Sequence, residues 1–197
     1  MTRYQLGDGR ALDIDVRAVA RPLLRTAVLG RRLTRREIAA AVDRALSAAG
    51  APARGLVGLV LADDPTIAEL NVSHMGKVGP TDVLSFPLLP PDAYPPHEGG
   101  GVLAGAAAAP ARIAAIAFAL PPRVRPQIGE IVISVERAVE QARDGRGGQA
   151  GDLRRDPADE LLLLATHGTL HLCGWDHAEP VEEAAMRRLE REILALA

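Results

Sequence analysis

Four segments of the chain carry apolar patterns typical of β-strands. Apolar and charged residues alternate over 12–17, which predicts a strand with one face in water. The nearly continuous apolar run at 56–61 predicts a buried central strand. Two further apolar runs, at 83–86 and 128–133, predict the remaining strands.

Helical patterns separate and follow these strands. Five segments combine a capping residue or a first-turn proline with apolar residues at helical spacing: 34–50, 64–70, 134–143, 156–172 and 180–196. The first opens with a capping box of Thr34 and Glu37 and ends at Gly50. In the second, Asp64 is the predicted N-cap.

Strands come early and helices dominate the end of the chain. The predicted fold class is therefore α+β, with a small mixed β-sheet of about four strands covered by helices. The segment 88–127 is rich in Pro, Gly and Ala and longer than an ordinary connection, so we interpret it as an insertion. A length of 197 residues suits one compact domain, and we expect residues 1–197 to form a single domain that contains this insertion.

Composition narrows the class of protein further. The formal net charge of −2 gives no global field that would attract nucleic acid or an anionic membrane. The single cysteine, Cys173, cannot form an internal disulfide, which suits the cytoplasm. The N-terminus lacks the apolar core of a signal peptide, and the weakly apolar run 102–120 is interrupted by Pro110 and Arg112. We therefore expect a cytoplasmic protein with no membrane partner.

Three of the five histidines fall within eleven residues, at His167, His171 and His177. On a helix His167 and His171 are one turn apart on the same face, so both imidazoles can reach one ion. Gly174 can end the helix in the left-handed conformation and fold the chain back, which brings His177 to that ion. Three nitrogen ligands leave a fourth tetrahedral position for water, as in catalytic zinc sites. We predict one zinc ion per chain, although imidazole also suits nickel, copper or iron.

Neighbouring residues indicate what this site can do. Gly168 stands where H-E-x-x-H metalloproteases carry their glutamate base, so a peptidase would lack its base. Asp176 either orients an imidazole or caps the turn. Cys173 points to a different side of the helix, which predicts a buried thiol rather than a fourth ligand. His74 and His97 are interpreted as surface loop residues, with His74 near the metal as the less favoured alternative.

Three motifs in order resemble one known family. The run THGTLHLCGWDH at 166–177 resembles the H-G-x-L-H-L-x-G-[YW]-D-H signature of the bacterial YbeY-type rRNA-maturation endoribonucleases. The segment 69–87, with ELN followed by PTDVLSFP, resembles that family's L-N-x-x-Y-R-G-x-D-x-P-T-D-V-L-S-F-P block, and IGEIVIS at 128–134 resembles its L-G-D-I-x-I-S strand. The chain is similar to the family from about Leu56 onward, apart from 88–127.

This resemblance implies a zincin-like α+β metalloprotein. It implies a zinc-dependent, single-strand-specific endoribonuclease that acts in 16S rRNA 3′-end maturation and ribosome quality control in the cytoplasm. The implied partners are single-stranded or ribosomal RNA and the small ribosomal subunit, with no DNA and no membrane. In such a site nearby cations would stabilise the charge that develops on the phosphate.

The chain departs from the family where a cation is expected. The family's arginine position falls on Met75, and methionine cannot hold a phosphate. Lys77, two residues on, is either a replacement point charge or a solvated loop lysine. The family's following aspartate falls on Val78, and Glu130 stands for the aspartate of its strand. The catalytic residues are therefore not assigned by the resemblance.

Two other functions remain open at this point. One is a metal-binding ribosome-assembly or RNA-binding factor with weak or lost nuclease activity, which Met75 favours. The other is a metallohydrolase with a different substrate. Arg146, Arg154 and Arg155 lie in a predicted Gly-rich loop and form either an RNA-facing patch or a merely solvated one.

Overall fold

A mixed five-stranded sheet organises the protein. The computed structural model describes residues 1–98, 125–144 and 156–195. The strands are β1 (Thr2–Gln5), β2 (Ala11–Val16), β3 (Leu56–Ala62), β4 (Val83–Pro87) and β5 (Gln127–Ser134), in the spatial order β1-β2-β3-β5-β4. The inner three strands are parallel, while β1 and β4 pair antiparallel at the two edges. The predicted α+β fold class is confirmed.

The sheet has one strand more than predicted, because β1 is a polar edge strand without apolar alternation. Its sequence is TRYQ and it is largely exposed. It is held by its ladder with β2 and by Arg3, whose Nε donates to Asp13 Oδ1 at 2.7 Å. This strand therefore depends on its partner rather than on its own pattern.

Helices connect and cover the strands. In the described residues they are α1 (Thr26–Leu29), α2 (Arg35–Ala48), α3 (Asp64–Leu70), α4 (Val135–Asp144), α5 (Pro157–Leu172) and α6 (Pro180–Ala195). The predicted capping box of α2 is present, since Glu37 N–H donates to Thr34 Oγ1 at 3.2 Å and Thr34 N–H to Glu37 Oε2 at 2.7 Å. No helix within these described residues is long and apolar enough to cross a membrane.

The predicted start of α3 is wrong by one residue. Asp63 is the N-cap and accepts the N–H of Thr66 at 3.2 Å. Asp64 instead accepts the hydroxyl of Ser134 at 2.6 Å, a bond to a distant strand that no local pattern reveals. The helix also continues into the predicted loop, because Asn71–Met75 form one π-helical turn that ends at Gly76 with a φ of 65°.

The two faces of the sheet are covered differently. Leu59, Leu61 and their neighbours on β5 face the main core, which α2 and α5 complete. Val132 and Leu84 point to the opposite face, where Ile67 of α3 covers them. α5 is buried almost all round, as its sequence predicts, because it also packs against α4, α6 and the β4 edge.

Some sequence predictions fall on residues outside the described ranges. These are most of the predicted insertion, the end of the last helix, and the loop that carries Arg146, Arg154 and Arg155.

Candidate metal centre

Three imidazoles meet at the C-terminal end of α5. One ring nitrogen from each of His167, His171 and His177 lies within 4.8 Å of the other two. His167 and His171 come from successive turns, and their Nε2 atoms are 3.0 Å apart. Two nitrogens on one tetrahedral zinc ion would be about 3.3 Å apart, given Zn–N bonds of 2.0–2.1 Å. The donor set and its spacing therefore fit one metal ion.

Gly174 brings the third histidine into the cluster. Its φ of +83° is in the left-handed region that glycine adopts readily, and it follows the last turn of α5. The chain then folds back, with Trp175 N–H donating to Leu170 O at 3.1 Å. Asp176 Oδ1 accepts the backbone N–H of His177 at 2.8 Å. Of the two predicted roles for this carboxylate, the described contacts therefore favour capping of the turn.

A buried carboxylate outside the three sequence motifs is hydrogen-bonded to His167. Glu190 of α6 is 2% exposed, and its Oε1 lies 2.7 Å from His167 Nδ1. This contact assigns the Nδ1 proton to His167 and leaves its Nε2 lone pair directed at the cluster. The sequence contained a signal, because Glu190 lies on the same helical stripe as the apolar Met186 and Ile193. A charged residue on such a stripe needs a buried partner.

His171, the middle histidine of the cluster, has a lowered pKa that favours cation binding. Burial lowers the pKa of His171 to about 4, and the adjacent rings of His167 and His177 act in the same direction. The His171 ring is therefore neutral at neutral pH. A neutral imidazole is the form that binds a metal.

The cluster lies in the wall of an open cleft of about 750 Å³. The loop that contains Met75 and Lys77 and the start of β4 also line the cleft. Asp82, just before β4, is held by the Val83 N–H at 2.8 Å and by the Gln141 side chain at 3.1 Å. The described lining of the cleft thus combines three imidazoles and the carboxylates of Asp82 and Asp176 with one lysine.

The remaining candidate residues lie outside the cluster. Cys173 is fully buried, and burial raises the pKa of its thiol to about 12, so the predicted buried thiol is confirmed. His74 is exposed and packs edge-on against Phe86, with ring centroids 5.0 Å apart. The prediction for His97 is wrong: it is only partly exposed and stacks on Trp175, with centroids 4.2 Å apart and rings 4° from parallel.

Gly168 packs tightly against the sheet. A Cβ there would lie 2.8 Å from Ile131 Cγ2 and 3.1 Å from Ser85 Oγ. Ser85 Oγ also donates to the Gly168 carbonyl at 3.0 Å, which ties α5 to β4. This close approach leaves no room for a side chain at position 168, so the position carries no peptidase base.

The same packing predicts the effect of Gly168→Ala. The added methyl meets a stiff, β-branched side chain that is fully buried, so we expect a loss of about 1–2 kcal/mol after the gain in helix propensity is subtracted. The midpoint of urea unfolding, compared with the unchanged protein, measures this loss. A midpoint equal to or above that of the unchanged protein would contradict the close approach of α5 to the sheet.

A cleft that carries three converging imidazoles on an α+β fold is of the kind found in metal-dependent hydrolases. The family model for Endoribonuclease YbeY matches residues 27–197 of this chain. The chain therefore belongs to the YbeY family of endoribonucleases, as its three motifs predict, and the expected class of enzyme, a hydrolase acting on RNA, is confirmed.

Two relatives of known family agree with this assignment. Endoribonuclease YbeY of Salinispora tropica is 38% identical over 158 residues, which cover 80% of this chain and 84% of the relative. Endoribonuclease YbeY of Symbiobacterium thermophilum is also 38% identical over 158 residues, covering 78% and 80%. The solution structure of TM1509 from Thermotoga maritima is similar at 20% identity with a TM-score of 0.45, over 94% of this chain and 90% of that one.

Proposed function

We propose that this protein is a zinc-dependent, single-strand-specific endoribonuclease that acts in 16S rRNA 3′-end maturation and ribosome quality control. His167, His171 and His177 hold one zinc ion per chain in this proposal. The substrate is single-stranded ribosomal RNA of the small subunit, in the cytoplasm, with no DNA and no membrane partner. The chain acts as a single domain over 1–197, with the insertion at 88–127.

The convergence of the three imidazoles in the wall of the cleft carries this proposal. A cleft of about 750 Å³ has the size of a small-molecule site. It therefore suits one nucleotide of a flexible single strand better than a rigid duplex. The neutral His171 ring and the carboxylate behind His167 favour retention of a cation at this point.

The chain's own residues have separate roles around the bound group. A bound zinc ion supplies Lewis acidity, which makes water a better nucleophile at neutral pH and polarises a phosphate oxygen. Glu190 fixes the tautomer and the ring orientation of His167, and Gly174 places His177. Lys77, which lines the same cleft, supplies positive charge for the phosphate.

Metal analysis and an RNA cleavage assay test this function together. Purified protein loaded with zinc and then desalted should retain about one zinc ion per chain. It should cut a labelled single-stranded RNA and leave the same strand intact after annealing to its complement. A folded protein that retains no zinc would contradict the metal site, and one that retains zinc without cutting would overturn the nuclease.

Lys77 is the residue of the cleft best suited to stabilise negative charge on the phosphate. It is the single lysine of a chain that contains 22 arginines, and it is the one Lys or Arg among the described residues that line the cleft. Asn71 holds its loop on both sides, because Lys77 N–H donates to Asn71 O at 3.3 Å and Asn71 Nδ2 donates to Gly79 O at 2.8 Å.

Replacing this charge should slow RNA cleavage without removing the metal. We expect Lys77→Gln to lower kcat/KM by about tenfold to a hundredfold, since a charge directed at the developing phosphate anion is lost. Lys77→Arg should retain most of the rate, and Arg54→Gln, on an exposed turn, should retain all of it. Equal rates for Lys77→Gln and the unchanged protein would identify Lys77 as a solvated loop residue.

Met75 favours the second candidate function, a metal-binding RNA-binding factor with weak or lost cleavage. Its side chain is 48% exposed and lines the cleft, in the place where the family carries a cation. Met75→Arg separates the two functions in the same assay. A protein that binds RNA without cutting it, and gains cleavage on Met75→Arg, would be such a factor.

A further inference from the structure

Positive charge is concentrated in one segment of the chain. Residues 17–36, here called the arginine segment, contain seven arginines and no carboxylate. The whole chain has a formal net charge of −2, so the rest of it is clearly acidic. The segment passes through a 3₁₀-helix and α1 and ends in the first turn of α2. The family match begins at residue 27, inside this segment.

Most of these arginines form no ion pair with the described residues. Arg31 is the exception, with Nη1 2.8 Å from Glu37 and Nη2 2.7 Å from Asp159. The other six are exposed and form no ion pair with any residue that the structure describes: Arg17, Arg21, Arg25, Arg32, Arg35 and Arg36. Arg17 has a small electrostatic effect on Asp63, whose pKa is lowered mainly by its hydrogen bond from the Thr66 hydroxyl.

Clustering of these exposed arginines does not stabilise the fold. Arg35 and Arg36 occupy the first two positions of α2, where the helix dipole disfavours positive charge. Adjacent exposed cations also repel one another. Arginines placed where they destabilise the fold indicate an anionic ligand that neutralises their charge.

Three of these arginines line a second groove. It has a volume of about 390 Å³, and its lining includes Arg32, Arg35 and Arg36 together with Tyr4 and Leu33. Guanidinium groups beside apolar side chains and one aromatic ring suit a nucleotide strand, because phosphates pair with arginine while bases and sugars pack on apolar surface. We call this feature the arginine groove.

We propose that the arginine segment, with the arginine groove, binds the phosphate backbone of the RNA substrate at a distance from the cleft. This inference rests on the proposed nuclease function and adds a second contact to it. The Arg31–Asp159 pair ties the segment to the start of α5, and His167 is eight residues further along that helix, about 12 Å at the usual helical rise. A strand must therefore be several nucleotides long to reach both places.

The test compares RNA strands of two lengths on two matched double variants. Arg35→Gln/Arg36→Gln removes two exposed charges from the arginine segment. Arg54→Gln/Arg191→Gln removes two exposed, unpaired charges elsewhere in the described residues. All are made in the full-length His171→Gln protein, which lacks one of the three metal ligands and therefore leaves RNA uncut, and affinity is measured by fluorescence anisotropy over a range of KCl concentrations.

The two variants should differ for the long strand only. For a strand of about 12 nucleotides we expect Arg35→Gln/Arg36→Gln to weaken binding about tenfold or more and to reduce the slope of log K against log salt by about 1.4, since each phosphate contact to a single strand contributes about 0.7. A dinucleotide, too short to span the distance of about 12 Å between the two places, should lose little affinity. The control variant should bind both strands as the parent does.

A thermal melt and a vesicle assay make the result decisive. Arg35→Gln/Arg36→Gln should melt at or above the parent temperature, because it removes charges that oppose the helix dipole. Unchanged affinity and salt slope would overturn the inference, as would arginine-dependent binding to phosphatidylglycerol vesicles with unaltered RNA binding. If the unmodified protein cuts RNA while the arginine variants bind normally, this inference alone fails, whereas absence of cleavage in the unmodified protein removes the proposed function.

Discussion

Replacing His171 with alanine should remove the bound zinc and lower RNA cleavage by at least about a thousandfold. His171 is the middle ligand of the cluster, within hydrogen-bonding distance of His167 and facing His177. Two imidazoles are too few for a stable catalytic zinc site, so neither the cation nor its Lewis acidity would remain. Zinc per chain after desalting and single-turnover cleavage of a single-stranded RNA measure the two effects.

His74→Ala is the matched control for this variant. His74 is exposed and packs against Phe86 in the described structure, and it is not among the three clustered imidazoles. Its loss should leave zinc content and cleavage rate unchanged. A His171→Ala protein that still melts cooperatively, yet cuts RNA at the unmodified rate, would refute the metal site as the seat of catalysis.

Replacing Glu190 with glutamine should weaken zinc binding by about tenfold to a hundredfold. The shape of the side chain is kept, so packing against α5 is preserved. The carboxylate that accepts the Nδ1 proton of His167 at 2.7 Å is lost. An amide can donate as well as accept, so it permits the tautomer that carries its proton on Nε2, which cannot bind a metal.

Competition with a chelator of known zinc affinity measures this change. Glu192→Gln, an exposed neighbour on the same helix, supplies the control and should bind zinc as the unmodified protein does. Cleavage at saturating zinc should recover most of its rate in Glu190→Gln, because the residue positions a ligand and touches no substrate. Equal zinc affinity for the two variants would mean that Glu190 serves packing alone.

The sequence alone predicts the role of His171, but it does not predict the partner of Glu190. His171 was found because a helix places residues four apart on one face, a relation that depends only on local geometry. Glu190 lies 23 positions from His167, and its contact exists only because α6 packs against α5. Its position on an apolar stripe indicated a buried charge, although nothing local named its partner.

The same distinction applies to the fold. The capping box of α2, the helix end at Gly174 and the inner strands follow from short-range patterns, and the structure has them. The polar strand β1 was missed because it is stabilised by its ladder with β2. The N-cap of α3 moved to Asp63 because Asp64 is bonded to Ser134, a residue 70 positions away.

The sequence by itself determined the family, the α+β class and the three histidines that can share one ion, because motif spacing and helical periodicity are local properties of the chain. The tertiary structure alone decided which carboxylate supports His167, that Gly168 packs against the sheet, and that six arginines of one segment form no ion pair within the described residues. Those outcomes depend on which distant elements pack together. Long-range contacts of this kind leave no periodic pattern in one chain, and their free energy appears only when the core forms.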